Sequence, residues 1–247
     1  MSFVKAMIPK SARAWLRRQQ RVGQKKLLVL DRVEDWSVLR SLQPYRDEFG
    51  RRRGQCIDRF YIEKFLSESQ ELVRGRVAEF GGSEYAVRFG GSKVERVDVV
   101  DVNEQNDRRT LTLDLAKPDE VPEELFDCII ATQVLLLIRD YESAIQSLHK
   151  MLKAGGSVLV TVPGISPIVT GDLVAGAGND WWRFTRRSAD FAFGTVFGHE
   201  RVQVETFGNV LTATAFLHGL VSEELMQHEL EYHDPDFEVL VGIRAMK

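Results

Sequence analysis

The run GRVAEFGGSEYAVRFGG, Gly75 to Gly91, sets the fold. Val77 and Ala78 make a short apolar strand with Glu79 at its carboxyl end, and Gly81, Gly82 and Ser83 form a turn of small residues. Such a turn lets backbone approach a ligand closely, which is what a nucleotide site in an open α/β sheet requires. Nineteen residues after Glu79, Val97-Asp98-Val99-Val100 reads as a second strand. Its acid stands at roughly the ~20-residue offset from which a carboxylate reaches ribose hydroxyls. An ordinary strand-to-helix turn has the same appearance, so the glycines alone do not define a site.

Downstream, the same alternation of strand and helix continues. Thr110 to Leu115 (TLTLDL) alternates as a third strand carrying Asp114, and Phe126 to Thr132 (FDCIIAT) is a nearly continuous apolar run, the mark of a strand buried on both faces. Asp140 caps a helix whose Tyr141, Ala144, Ile145, Leu148, Met151 and Leu152 share one face, and Gly155 supplies its left-handed stop. Ser157 to Val162 is the fifth strand, closed by Pro163. Thr185 caps a helix through Phe193, Arg201 to Phe207 is the sixth strand, Leu211 to Leu225 is helical, and Glu238 to Ala245 is the seventh strand. Upstream, Ile57, Tyr61, Ile62 and Phe65 form a helical stripe that packs onto the domain before its first strand. On that helix Asp58, Arg59 and Tyr61 are candidates for a cofactor or substrate pocket, with a solvated face as the alternative. Seven strands interleaved with helices predict a doubly wound sheet with its ligand sites at the strands' carboxyl ends.

Composition sets the outer bounds. A chain of 247 residues, 44% hydrophobic, suits one α/β domain with additions. The formal charge of −3 divides into +8 on residues 1–26, which hold no acid, and −11 on the remainder. We therefore expect residues 1–54 to be a basic N-terminal extension and residues 55–247 the main domain. The extension places Ala12, Trp15 and Leu16 at helical spacing among arginines, a pattern for peripheral contact with an anionic membrane or partner, or for a solvated terminal helix. An acidic body argues against specific nucleic-acid binding. Cys56 and Cys128 lack metal-ligand pairing, and with no long apolar run the expectation is a reduced, cytoplasmic protein without a metal.

The ordered set resembles a class I S-adenosylmethionine-dependent methyltransferase of the type 11 group. The resemblance is carried by Phe126-Asp127, by Gln133-Val134-Leu135, and by Leu148-His149-Lys150-Met151-Leu152-Lys153-Ala154-Gly155-Gly156 leading to Thr161-Val162-Pro163. Ala154 stands where that family's usual proline falls. Trp182-Arg183-Phe184-Thr185 is similar to a tetrapeptide of members associated with sugar and polysaccharide pathways. The resemblance implies a Rossmann-like, seven-stranded, mostly parallel sheet with an antiparallel last strand. It assigns Glu79, Gly81, Gly82 and Ser83 to the cofactor loop, Asp98 to the ribose, Asp114 to the adenine side and Gln133 to the position after the fourth strand. Two departures stand out: Ser83 replaces the loop's second glycine, and the segment from Glu79 to Asp98 is about one helical turn short. Leu136 and Leu137 replace the Glu-His of many relatives, so that position offers no base.

The implied chemistry is methyl transfer to a sugar, glycan or other small hydroxylated acceptor, in which alignment comes first and a base helps. Asp180 and His218 are the candidate bases, with His199 and, more weakly, His149 beside them. The long connection from Pro163 to Thr185 reads as an acceptor lid. In it Trp182 and Arg183 are candidate acceptor residues, the tryptophans serving as a sugar platform or as a staple to the core. Two other classes stay open: a degenerate methyltransferase-like binding module serving a partner enzyme, and a nicotinamide oxidoreductase, for which no Tyr-x-x-x-Lys pair is found.

Overall fold

The computed structural model describes residues 41–45, 53–103, 105–168 and 180–247. The basic segment 1–26 and most of the expected lid lie outside them. The chain divides into two compact units, Met1–Gln43 and Pro44–Lys247, and all that follows concerns the second.

Six strands form one sheet: β1 Gly75–Phe80, β2 Val94–Val100, β3 Phe126–Thr132, β4 Leu152–Pro163, β5 Val202–Phe207 and β6 Leu240–Met246. Their spatial order is β2-β1-β3-β4-β6-β5. β1 pairs in parallel with β2 and β3, and β3 with β4, whereas β6 runs antiparallel to both β4 and β5. The antiparallel last strand is as expected.

Period-two alternation divides the core between the two faces. Ile129, Ala131, Val158 and Val160 point into one layer with α2 (Tyr141–Met151) and α3 (Arg186–Phe197). Cys128, Ile130 and Leu159 point into the other, with α1 (Ile57–Glu68) and α4 (Val210–Leu217). A short α5 (Gln227–Glu231) precedes β6. The helix starts follow their caps: Asp140 accepts from Ser143 N at 3.0 Å, Thr185 and Ser188 form a reciprocal capping box, and Asn209 accepts from Leu211 N and Thr212 N.

Three elements differ from expectation. TLTLDL is not a strand but a single parallel bridge, Val100 to Leu111. The Thr110 hydroxyl accepts from Val99 N at 3.0 Å, taking a ladder donor that a third strand would need, and the chain then turns Leu113 and Leu115 into the core. The helix after Asp140 ends at Met151 rather than at Gly155. Gly155, at φ +75°, sits in an irregular stretch of β4 where the pairing register with β3 shifts between Phe126 and Cys128. The expected helix 211–225 stops at Leu217, because Gly219 takes φ +71° directly after it. The crossover from β1 to β2 is short: Gly81 leads into one π-helical turn, Ala86–Gly90, and Val94 already opens the next strand. Among the described residues no helix is long and apolar enough to cross a membrane.

Candidate functional site

The carboxyl ends of β1, β2, β3 and β4 open on one cavity of about 990 Å³, whose remaining walls come from α1, the segment around Trp181, α4 and Val239. That is where a parallel sheet presents its backbone ends to a ligand.

Glu79 holds the floor together. Its carboxylate, 3% exposed, accepts from Tyr85 N at 3.2 Å and Ala86 N at 2.6 Å, tying the glycine turn back onto β1. Burial pushes its pKa above the ordinary carboxylate value, against the pull of those two bonds. Gly81 takes φ +81°, and the space a Cβ would occupy there is open to 4 Å. Its N–H donates to Val100 O at 2.9 Å, locking the turn against the end of β2. Gly81 and Gly82 line the cavity; Ser83 does not.

Asp98, the acid that the sequence singles out on β2, does not line the cavity. Asp98 pairs with Ala78 in mid-strand, is 2% exposed, and bonds Arg76 Nε at 2.7 Å and Arg96 Nη2 at 2.9 Å. Burial alone would raise its pKa, but the two arginines outweigh that and hold it below the usual value. The acid at the strand's carboxyl end is Asp101, which lines the cavity and accepts from Asn103 N at 2.8 Å and Asn106 Nδ2 at 2.7 Å. Asp98 and Asp101 flank the same Val99-Val100 pair, and it is Asp101, just past the strand's last residue Val100, that reaches the cavity. Asp114 is exposed on the cavity wall. Gln133 follows β3 at φ +56°, uncommon for a non-glycine residue, with its N–H on Thr161 O at 2.9 Å and its side-chain Nε2 buried without a partner.

The other expected residues scatter. Tyr61 is 1% exposed in the core, its hydroxyl donating to Leu230 O at 3.0 Å, so it does not face the cavity; Arg59, Cys56 and Asp58 do. The Asp180 carboxylate is 2% exposed and engaged by Arg183, so it is a structural anion rather than an open base. Trp182 is a staple: its indole N–H donates to Ile138 O at 2.9 Å and its ring packs edge-on to Tyr141. Trp181 is the tryptophan on the cavity, 50% exposed, under the guanidinium of Arg139. Arg183 lines the cavity. His218 ends α4 and stacks against Tyr45, off the cavity, and none of the five histidines lines it.

Residues 57–193 match the family model described as Methyltransferase domain (Methyltransf_23), a different family from the type 11 group expected. The match spans more than half of the chain, which belongs to that family. Among solved structures, the chain is similar to a SAM-dependent methyltransferase from Archaeoglobus fulgidus, with 11% identity, 76% of this chain and 94% of that one covered, and a TM-score of 0.51. It is also similar to the [4+2]-cyclase SpnF, with 15% identity, 84% and 88% coverage and a TM-score of 0.50. At these identities the likeness concerns the fold. The search of curated proteins yields no match.

Proposed function

We propose that the protein binds S-adenosylmethionine in this cavity and transfers its methyl group to a small-molecule acceptor. The observation that carries the reading is the convergence of the Gly81–Gly82 turn, Asp101 and Asp114 on one cavity at the sheet's carboxyl edge. The open space beside the left-handed Gly81 is what a ligand's close approach to backbone needs. In this reading Asp101 accepts from the ribose hydroxyls, Asp114 stands beside the adenine, and Gly81 and Gly82 leave room for the methionine portion. Arg59, within reach of Tyr85 Oη at 3.5 Å, is the cation for the methionine carboxylate. Glu79 acts through the turn it holds. Ser83 does not line the cavity.

Bound S-adenosylmethionine supplies a methyl carbon on a positively charged sulfur, open to in-line displacement. The chain's contribution is then alignment and exclusion of water, since no histidine reaches the cavity. Trp182-Arg183-Phe184-Thr185, the basis for expecting a sugar acceptor, is engaged in packing, an ion pair and a helix cap, and gives no reason to prefer a sugar. Calorimetric titration with S-adenosylmethionine and S-adenosylhomocysteine tests the reading. Micromolar binding, about −8 kcal/mol, supports it; a folded sample that binds neither at millimolar concentration is not a methyltransferase. Binding without turnover on any acceptor would favour the degenerate binding module.

A further inference from the structure

The cavity's carboxylates are confined to one side, where Arg59 and Arg88 stand among them. Its acids, Asp58, Glu63, Glu79, Glu84, Asp101 and Asp114, all come from α1, the β1 turn and the end or sequel of β2. The half built by the ends of β3 and β4, the Trp181 segment, α4 and Val239 holds no carboxylate among the described residues, and two arginines, Arg139 and Arg183. Arg183 is neutralised by Asp180. Arg139 makes no ion pair among the described residues; its guanidinium lies 5.7 Å from the centroid of the Trp181 ring. The same half is lined by the apolar Leu136, Leu137, Ile138, Phe216 and Val239, with Gln133 and Ser166 as polar members. Arg139 is exposed on the cavity rim; an arginine without an ion pair among the described residues, beside apolar side chains, favours a ligand with an apolar body and one negative charge, and it is the seated apolar body that removes water from the charge-assisted bond. An amine cation is disfavoured there by the same field.

The missing base belongs to the same picture. A hydroxyl acceptor must lose a proton during transfer, yet among the described residues this half of the cavity offers no histidine and no carboxylate to take it. A carboxylate acceptor has already lost its proton at neutral pH.

Resting on the methyltransferase reading, we infer that the acceptor is the carboxylate of an apolar acid, oriented by Arg139 over Trp181, and that the product is its methyl ester. One carboxylate oxygen gives its electron pair to the methyl carbon, forming the O–C bond. The C–S bond breaks and its pair stays on sulfur, leaving a neutral thioether, and no proton is released. Arg139 holds the other oxygen.

The test uses the full-length protein saturated with S-adenosylhomocysteine, followed by calorimetry and tryptophan fluorescence. Matched probes are decanoate against methyl decanoate, and 3-phenylpropionate against its methyl ester; decyl phosphate asks whether the anionic head is instead a phosphate. The acids are expected to bind at least tenfold tighter than the esters. Arg139→Ala should abolish that difference while changing S-adenosylhomocysteine affinity less than threefold, and Arg139→Lys should restore part of it. In turnover, methyl ester should form without acidifying a weakly buffered solution, whereas a hydroxyl acceptor would release one proton per cycle. Equal binding of acid and ester, no binding of either acid, an Arg139→Ala loss equal for acid and ester, or tighter binding of decyl phosphate than decanoate would each overturn the inference. Failure to bind S-adenosylhomocysteine at all would instead overturn the methyltransferase reading beneath it.

Discussion

The carboxylate of Asp180 and the guanidinium of Arg183 form a two-armed ion pair, Nη2 to Oδ2 at 2.9 Å, with the Asp180 side chain only 2% exposed. The same Nη2 donates to Pro167 O at 2.7 Å. Arg183 thus ties together the two ends of the long connection, at Pro167 and Asp180, and sets Trp181 against the cavity. Removing one partner of a buried ion pair while keeping the other is costly, by about 3–5 kcal/mol. Arg183→Ala is therefore expected to destabilise more than the double variant Asp180→Ala/Arg183→Ala, measured by urea unfolding. Additive losses would mean that the pair is not coupled.

Asp101 and Asp98 separate site from scaffold. Asp101→Ala is expected to lose at least tenfold in S-adenosylhomocysteine affinity, about 1.4 kcal/mol, with little change in melting temperature. Asp98→Ala should do the reverse, since it leaves Arg76 and Arg96 facing each other across β1 and β2 without their shared anion. Calorimetry and thermal unfolding on both variants decide; equal affinity losses would return Asp98 to the site.

These two acids also show where the sequence could be read and where not. The parallel core of the sheet was legible because Phe126–Thr132 and Ser157–Val162 are nearly continuous apolar runs, the mark of strands buried on both faces. The cavity's place followed from it. What the sequence hid was direction: Asp98 and Asp101 both flank Val99-Val100, and only the pairing of Asp98 with Ala78 in mid-strand shows which acid clears the sheet. Likewise Trp181 and Trp182 are adjacent and chemically identical, and their roles are set by an indole N–H that finds Ile138 O from one position alone. Tyr61 belonged to a correctly read helix, but its place in the Ile57–Phe65 stripe put it in the core.

The adjacent tryptophans should therefore respond differently. Trp182→Ala removes a part-buried hydrogen bond and the edge-on contact with Tyr141, whose ring centroid lies 5.1 Å away. A stability loss of about 3 kcal/mol is expected from aromatic truncation. Trp181→Ala, at a half-exposed position, should cost under about 1 kcal/mol and instead raise the acceptor KM with S-adenosylmethionine affinity unchanged. Urea unfolding and initial-rate kinetics on both variants are the check, and an exchange of these two phenotypes would reverse the assignment.

Glu79 and Asp98 should influence stability with opposite signs as pH changes. Asp98, held below its ordinary pKa, contributes stability that is present above about pH 3.9 and lost as pH falls through its folded value. Glu79 is raised by burial. Between its unfolded pKa of about 4.3 and its folded value, the native state binds more protons than the unfolded chain, so stability falls as pH rises through that window. Glu79→Gln removes this titration while leaving a side chain of the same length, at the loss of one acceptor for Tyr85 N or Ala86 N. The stability advantage of the natural protein over Glu79→Gln is therefore expected to shrink as pH rises from 4.3 and to level off above the folded pKa, measured by urea unfolding across pH 4 to 8. An advantage that grows with pH would mean that the two backbone N–H groups favour the charged form more than burial opposes it. The turn would then be held by a carboxylate ionised throughout the working range.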